Sequence, residues 1–435
     1  MNMGTAPERA WRTTPRSPRA GAIEAASASP ARFWSDVERS GAPFVDEVAD
    51  DPDALDVTFV LRAGPASGPW TLADGVSPSA SSAFTLTNVA GTDVWYVTLR
   101  LPRGTRVTYT FTTDVGLGAG RRSFDLASHF AARVVDPYNP RTISYPEQGI
   151  LSPWGRTVSF LDLSPAARDG GADARVDRRD GQAAAGPVSV REVASAALRR
   201  AVPVYVYAPP RSTIDASTPL VVLFDGWEAV AIGSIVSVFE ELVSSGAVPP
   251  FVAVMPDPRE YRADDFNLSD AYVAFLTDEL VGWARAELGV AARPSATVVG
   301  GASLGGLTAL YAALRHPDVF TGAISVIGAV GAHRNGERDW LIRHYAQSPR
   351  LPVSLYVAAG LLDDDTFPGG LPAMLSANRR LRDVLAERGY DLTYREFPGG
   401  HDWVWLPEEF GRGIASLLGG PDRSVRPGSA ADDGR

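Results

Sequence analysis

Short, continuously apolar runs alternate with helix-period segments from Pro187 onward, and this alternation constrains the fold more than any other feature of the chain. The runs have no polar face, which is typical of strands buried on both sides. They are Leu220–Phe224, Phe251–Met255, Ala296–Gly300, Ala323–Ile327 and Val353–Ala358. Between them, segments such as Ala271–Leu288 repeat apolar residues near every 3.6 positions. The alternation predicts an open α/β sheet, mostly parallel, with helices on both faces.

A different pattern precedes this region. Between Leu55 and about Leu163, short segments rich in β-branched and aromatic residues are separated by Gly, Pro and Asp. Val57–Leu61, Asp93–Leu99 and Val107–Phe111 are three of them. The spacing and the turn residues predict a small all-β, immunoglobulin-like sandwich domain.

Shifts in composition give the expected domain boundaries. We predict a disordered tail over residues 1–30, the sandwich over 31–165, a linker over 166–186, the α/β domain over 187–420 and a second disordered tail over 421–435. The linker is rich in Ala, Gly, Asp and Arg, the first tail has arginines among Ala, Ser and Pro, and the second tail is polar. Phe33–Ser40 has the apolar spacing of a short amphipathic helix at the start of the sandwich.

Composition excludes several classes of chemistry. The chain has no cysteine and no lysine, so thiol nucleophiles, Schiff-base chemistry and a P-loop lysine are excluded. A net charge of -10 disfavours a nucleic-acid partner. The sequence has neither a long apolar stretch nor the apolar region of a secretory signal, so we expect no membrane partner and a cytoplasmic location. The five histidines are scattered, and we therefore expect no metal and no cofactor.

The most informative segment contains G-x-S-x-G, written here as Gly301-Ala302-Ser303-Leu304-Gly305. It directly follows a predicted strand and precedes a predicted helix. In that context the pattern predicts a nucleophile elbow, a sharp turn that exposes the serine hydroxyl at the carboxyl edge of the sheet. Ser303 is therefore the candidate nucleophile. The alternative is a glycine-rich helix start that only packs tightly.

A serine hydroxyl needs a base, and histidine supplies one best near neutral pH. The candidates are His129, His316, His333, His344 and His401. In folds with this elbow the acid follows the serine in the chain and the histidine comes last. His401, in the glycine-rich turn after the strand-like segment Asp391–Phe397, satisfies that order.

The acid is expected in the loop after the strand Val353–Ala358, which offers Asp363, Asp364 and Asp365. We choose Asp363, and the sequence leaves the other two open. An oxyanion hole needs two backbone N–H groups. We expect the first from Leu304 and the second from Gly226 or Trp227.

The second N–H belongs to the loop that follows the strand Leu220–Phe224. Asp225 lies in this loop. We interpret Asp225 as a carboxylate that braces the loop, and not as a catalytic acid.

With these residues, the chain resembles the enterochelin (ferric enterobactin) esterases, within the esterase D group of α/β-hydrolases. The resemblance runs from Phe33 to about Leu418. It is carried by Phe33-Trp34, Arg100–Arg103, Asp136–Pro140, Leu223–Gly226, Arg262–Asn267, Gly301–Leu307 and Gly399–Asp402. The resemblance implies an α/β-hydrolase domain preceded by a sandwich, and a serine esterase that cleaves a cyclic tri-catecholate siderophore and releases iron inside the cell. It places Ser303, His401 and Asp363 in the catalytic roles.

The implied substrate is anionic, so we expect arginines to bind it. The candidates are Arg262, Arg334, Arg338 and Arg343. A solvated helix face is the alternative interpretation of the last three.

Three other functions remain open on the sequence. A sandwich with a hydrolase domain also resembles feruloyl or acetyl esterases, whose sandwich binds carbohydrate. An acyltransferase would use the same triad while excluding water. A hydrolase-like scaffold that binds a ferric siderophore without cleaving it is the non-enzymatic alternative. The partner in each case is a small molecule, and the sequence leaves the oligomeric state open.

Overall fold

The computed structural model describes residues 11–14, 17–26, 29–77, 80–114, 133–146, 156–165, 188–210, 213–290, 297–363 and 373–419. The predicted linker 166–186 and the predicted tail 421–435 lie outside these residues, as do residues 1–10. The strands are β1 Arg12–Thr13, β2 Phe44–Glu47, β3 Ala54–Arg62, β4 Thr71–Ala73, β5 Thr87–Asn88, β6 Val94–Pro102, β7 Arg106–Thr112, β8 Thr142–Tyr145, β9 Arg156–Asp162, β10 Val188–Ser195, β11 Arg200–Tyr207, β12 Leu220–Leu223, β13 Val252–Pro256, β14 Thr297–Ala302, β15 Gly322–Val326, β16 Ser354–Gly360 and β17 Asp391–Phe397.

The helices connect and cover these strands. They are Pro18–Ala26, Pro30–Ser40, Gly226–Ala231, Ile235–Ser244, Arg262–Phe266, Asp270–Ala274, Val281–Leu288, Leu304–Arg315, Trp340–Gln347, Met374–Glu387 and Leu406–Leu418, with 3-10 turns at Ser82–Phe84 and Arg259–Tyr261 and a π-helical turn at Phe275–Leu280. In the part of the chain that is described, no helix is both long and apolar enough to cross a bilayer.

Strands β1 to β9 form two antiparallel sheets. The first has the order β1-β6-β3-β2, with β5 also paired to β6, and the second has the order β4-β7-β9-β8. Alternate residues of β3, among them Leu55, Val57 and Phe59, pack in one apolar cluster with Tyr109 and Phe111 of β7. This period of two places one face of each sheet in a shared core. The predicted all-β sandwich is therefore confirmed.

The segment before the sandwich differs from the prediction. Residues 1–30 were expected to be a disordered tail, but Arg12 and Thr13 pair with β6 and a helix covers Pro18–Ala26. Trp11 is only 3% exposed and packs on Phe84, with ring centroids 4.1 Å apart. The described residues 11–14 and 17–26 differ from this prediction, because one aromatic residue and a short apolar helix face anchor them to the sandwich.

The remaining strands form one sheet in the order β10-β11-β13-β12-β14-β15-β16-β17. From β13 to β17 the neighbours are parallel, whereas β10, β11 and β13 pair antiparallel. The apolar runs named above coincide with β12 to β16, and the expected open α/β sheet is confirmed. The crossover from β12 leads to β13 on one side of β12. The next crossover leads from β13 back across β12 to β14 on its other side. Ligands of open α/β sheets bind at the carboxyl ends of the strands beside such a reversal.

The sandwich packs directly on the α/β domain. Ile143, Val158 and Phe160 of β8 and β9 share an apolar cluster with Tyr207 and Phe239 of the α/β domain. Both domains thus bury apolar residues in one shared cluster.

Candidate active site

Ser303 stands at a strained turn between β14 and the helix Leu304–Arg315. Its backbone has φ 57 and ψ -121, a combination that residues with a Cβ rarely adopt. The strain turns the chain sharply, so that the side chain stands above the carboxyl end of the sheet and remains partly exposed. This is the geometry of a nucleophile elbow.

Two glycines permit the close packing of this turn. A Cβ placed on Gly301 would lie 2.6 Å from the carbonyl carbon of Gly305. A Cβ on Gly306 would lie 2.7 Å from Ser325 Oγ on the next strand. The helix can therefore approach β14 and β15 only because side chains are absent at these positions.

His401 reaches the serine from the loop after β17. Its Nε2 lies 3.1 Å from Ser303 Oγ, and its Nδ1 lies 2.8 Å from Asp363 Oδ2. An ionised carboxylate can only accept hydrogen bonds, so Nδ1 carries the proton and Nε2 is left to accept from the serine hydroxyl. The His401 side chain is 16% exposed, which leaves it accessible from solvent.

Asp363 is held at the end of β16 with a fully buried side chain. Its backbone N–H donates to Gly360, and its carbonyl accepts from Leu375. The other two carboxylates of this loop, Asp364 and Asp365, lie outside the described residues. The structure thus brings Asp363 to His401, and the alternatives that the sequence left open stay untested.

The N–H groups expected to form an oxyanion hole belong to two neighbouring helix starts. Parallel pairing of Leu223 with Gly300 places the ends of β12 and β14 side by side. Leu304, Gly226 and Trp227 occupy first-turn positions, where backbone N–H groups have no acceptor within their own helix. Among the described residues, none of these three N–H groups donates a hydrogen bond to the backbone.

Arg262, which the sequence predicts to bind substrate, is paired with a buried carboxylate, and a role in substrate binding stays a prediction. It is 9% exposed, and its Nε and Nη2 donate to the two oxygens of Asp225 at 2.7 and 2.8 Å. Asp225 has a left-handed backbone with φ 57 and precedes the helix that begins at Gly226. The bidentate pair therefore fixes the loop that carries the N–H of Gly226. Asp225 braces this loop, as the sequence suggests.

A further carboxylate is buried in the first turn of the helix that follows this loop. Glu228 is 1% exposed, and burial, reinforced by the nearby charges of Asp225 and Asp257, raises its pKa to about 7. Arg262 acts in the opposite direction. The charge of the Glu228 carboxyl group therefore changes near neutral pH.

Two of the other three predicted substrate-binding arginines are paired with residues outside the triad. Arg334 donates to Tyr311 Oη and to Asp270, both at 2.6 Å, and Arg343 donates to Glu337 at 2.9 Å. Arg338 is exposed.

Arg338 and Arg343 line an open cleft of about 560 Å³ whose lining includes none of Ser303, His401 and Asp363. Their role in substrate binding stays a prediction.

Sequence reasoning missed the residues that hold the His401 loop from outside. The N–H of His401 donates to the carbonyl oxygen of Gly75, and the Asp402 carboxylate accepts from Thr108. Gly75 and Thr108 belong to the sandwich. Thr108 and Asp402 are 294 positions apart in the chain. Asp402 is part of the Gly399–Asp402 motif, but no local sequence pattern indicates that it contacts the sandwich.

The elbow on a mostly parallel sheet defines an α/β-hydrolase, and comparison with known proteins specifies its class. Residues 195–416 match the family model of putative esterases, and residues 56–170 match that of the enterochelin esterase N-terminal domain. The protein is a carboxylic ester hydrolase. It belongs to the enterochelin esterase family.

Individual relatives span nearly the whole chain. The iron(III) enterobactin esterase of Dickeya dadantii is 24% identical over 429 residues, covering 90% of this chain and 93% of the relative. The iron(III) salmochelin esterase of Escherichia coli O6:H1 is 25% identical over 409 residues, covering 89% and 93%. The crystal structure of the Shigella flexneri enterobactin esterase in the presence of enterobactin has a TM-score of 0.62 at 22% identity, covering 89% of this chain and 97% of that chain. That structure shares the fold.

Proposed function

We propose that this protein is a serine esterase that hydrolyses the ester bonds of a ferric catecholate siderophore through Ser303, His401 and Asp363. The observation that carries the proposal is the continuous hydrogen-bonded path from Ser303 Oγ through the imidazole to Asp363, with distances of 3.1 and 2.8 Å. The substrate class is supported by the relatives named iron(III) enterobactin and salmochelin esterases.

In the proposed first step, His401 Nε2 accepts the proton of the serine hydroxyl while Oγ attacks the ester carbonyl carbon. The carbonyl oxygen becomes an oxyanion, which accepts hydrogen bonds from the N–H of Leu304 and from that of Gly226 or Trp227. Asp363 remains ionised and stabilises the imidazolium, since its oxygen faces Nδ1.

Collapse of the tetrahedral intermediate breaks the bond between the carbonyl carbon and the ester oxygen. The leaving alcohol takes the proton from His401, and the acyl group stays on Ser303. Water then attacks the acyl-enzyme with His401 again as the base, which releases the acid and restores the serine. Opening the cyclic ester in this way would weaken the binding of iron by the siderophore. The release of iron, and the cytoplasm as its place, stay predictions.

The experiment compares kcat/KM for an iron-loaded cyclic tri-catecholate ester, the same ester without iron, feruloyl sugars and short p-nitrophenyl esters. Products are identified by liquid chromatography and mass spectrometry. We expect the tri-catecholates to have the highest kcat/KM and to give linear acids. Turnover of only the short chromogenic esters contradicts the substrate class, and an acylated alcohol in place of the acid indicates a transferase.

A further inference from the structure

Two consecutive residues of the loop that carries the imidazole, His401 and Asp402, are hydrogen-bonded to the sandwich domain. The backbone N–H of His401 donates to Gly75 O at 3.1 Å. The next residue, Asp402, accepts through Oδ2 from Thr108 N–H at 2.7 Å and from Thr108 Oγ1 at 3.0 Å. Its second oxygen accepts from Val404 N–H at 3.0 Å, within the same loop. Both oxygens of the Asp402 carboxylate are thus engaged.

The two chains approach too closely for side chains at the point of contact. A Cβ on Gly400 would lie 1.9 Å from Gly75 O, and a Cβ on Gly75 would lie 2.1 Å from Asp402 Oδ2. The N–H of Gly75 also donates to Thr108 Oγ1 at 3.3 Å, so Thr108 joins both partners. The two backbones are therefore closely packed here, and displacement of either loop would break several hydrogen bonds together.

Neighbouring contacts fix the same loop along its length. Arg106 N–H donates to Pro398 O at 3.1 Å, and Trp405 Nε1 donates to Arg106 O at 3.0 Å. Leu362, which precedes the triad acid, is 1% exposed and belongs to the apolar cluster of the sandwich. The sandwich therefore contacts the loops of both the histidine and the acid.

We propose that the sandwich positions His401 for catalysis through a clamp formed by Asp402 and Thr108. This inference rests on the proposed role of His401 as the base. Asp402 and Thr108 are positioning residues: they hold the imidazole through its backbone and have no contact with Ser303 among the described residues. Displacement of a reacting group by about 1 Å can cost 10²-fold in rate, so loss of the clamp acts on kcat.

The test uses the full chain with four substitutions. Asp402→Asn replaces one acceptor by a donor, and Thr108→Val removes the hydroxyl while keeping the shape. Thr108→Ser keeps both donors and is the conservative rescue. Glu408→Gln is the matched control, because Glu408 pairs with Arg106 of the sandwich at 2.6 Å but lies on the helix Leu406–Leu418 outside the His401 loop.

The measurements are kcat and KM for p-nitrophenyl acetate, the inactivation rate of Ser303 by a fluorophosphonate, and thermal unfolding. Asp402→Asn and Thr108→Val are expected to lower kcat and the inactivation rate about 10- to 100-fold, with KM changed less than about twofold. Thr108→Ser and Glu408→Gln should stay within about twofold of the parent in kcat.

The inference is overturned if the parent is active and the two clamp variants retain its kcat. It is also overturned if kcat falls equally in Glu408→Gln, since that would be a general effect of the interface. A parent chain that neither hydrolyses the ester nor reacts with the fluorophosphonate contradicts the proposed function, and the inference with it.

Discussion

His401 Nε2 lies 3.1 Å from Ser303 Oγ, although 98 positions separate the two residues in the chain. Two independent constraints produce this contact. The strained φ of 57 at Ser303 lifts its hydroxyl above the sheet, and the sandwich holds the backbone of His401 from the other side.

Asp363→Asn is expected to lower kcat about 10³- to 10⁴-fold with little change in KM. The side-chain amide can donate to Nδ1, which favours the tautomer whose Nε2 carries the proton and cannot accept from Ser303. Steady-state kinetics with p-nitrophenyl acetate checks this. Asp364→Asn and Asp365→Asn serve as controls, and a larger loss of kcat in either would assign the acid to that residue instead.

Gly301→Ala is expected to abolish most activity and to destabilise the fold, because its Cβ would lie 2.6 Å from the backbone of Gly305. We expect a loss of roughly 1–3 kcal/mol or more in the free energy of unfolding. Gly282→Ala is the matched control, since nothing lies within 4 Å of its Cβ in the helix Val281–Leu288. Equal stability of the two variants in urea titration would show that the elbow is not tightly packed.

The sequence predicts the parts of the site that depend on local pattern and chain order. The elbow follows from glycines around Ser303 between a strand and a helix, and the order of the triad selects His401. The large sheet follows from apolar runs such as Ala323–Ile327, because parallel strands are buried on both faces.

Contacts between distant segments could not be predicted in this way. The chemistry that suits an arginine to an anionic substrate also suits it to a buried carboxylate, so Arg262 could not be assigned before its partner was known. Thr108 and Asp402 meet across a domain joint, and neither has a distinctive sequence context. The segment Pro18–Ala26 looks disordered by composition, and a few apolar contacts suffice to order it.

Arg262→Met is expected to lower the free energy of unfolding by about 3–5 kcal/mol, because it leaves the buried Asp225 carboxylate without its bidentate partner. kcat should fall as well, since the oxyanion loop loses its brace. Chemical denaturation together with kinetics checks both effects. Arg343→Met, which removes an exposed ion pair with Glu337, should change stability by less than about 1 kcal/mol. A raised KM with unchanged stability in Arg262→Met would instead support contact with substrate.

Glu228→Gln is expected to make stability less dependent on pH. The folded protein binds the Glu228 proton with a pKa of about 7, above the ordinary value of 4.5, so the stability that this proton provides is present below pH 4.5 and is lost as pH rises to about 7. The parent should therefore lose on the order of 2–3 kcal/mol more than the variant between pH 4.5 and pH 8. Urea titrations at both pH values measure this difference.

Glu241→Gln, an exposed substitution on the helix Ile235–Ser244, is the control for a change of charge alone. It should follow the parent at both pH values. If Glu228→Gln also follows the parent, burial of this carboxylate does not contribute to the pH dependence.

The most direct test of the central claim is mass spectrometry of the intact and digested protein after reaction with a fluorophosphonate, in the parent and in Ser303→Ala and His401→Ala. The parent should gain a single adduct that maps to Ser303. His401→Ala should react at least about 100-fold more slowly, because the serine has lost its base. Ser303→Ala should gain no adduct and should lose hydrolysis of p-nitrophenyl acetate and of the tri-catecholate ester. Unchanged ester hydrolysis by Ser303→Ala, or an adduct on another residue of the parent, would contradict the account.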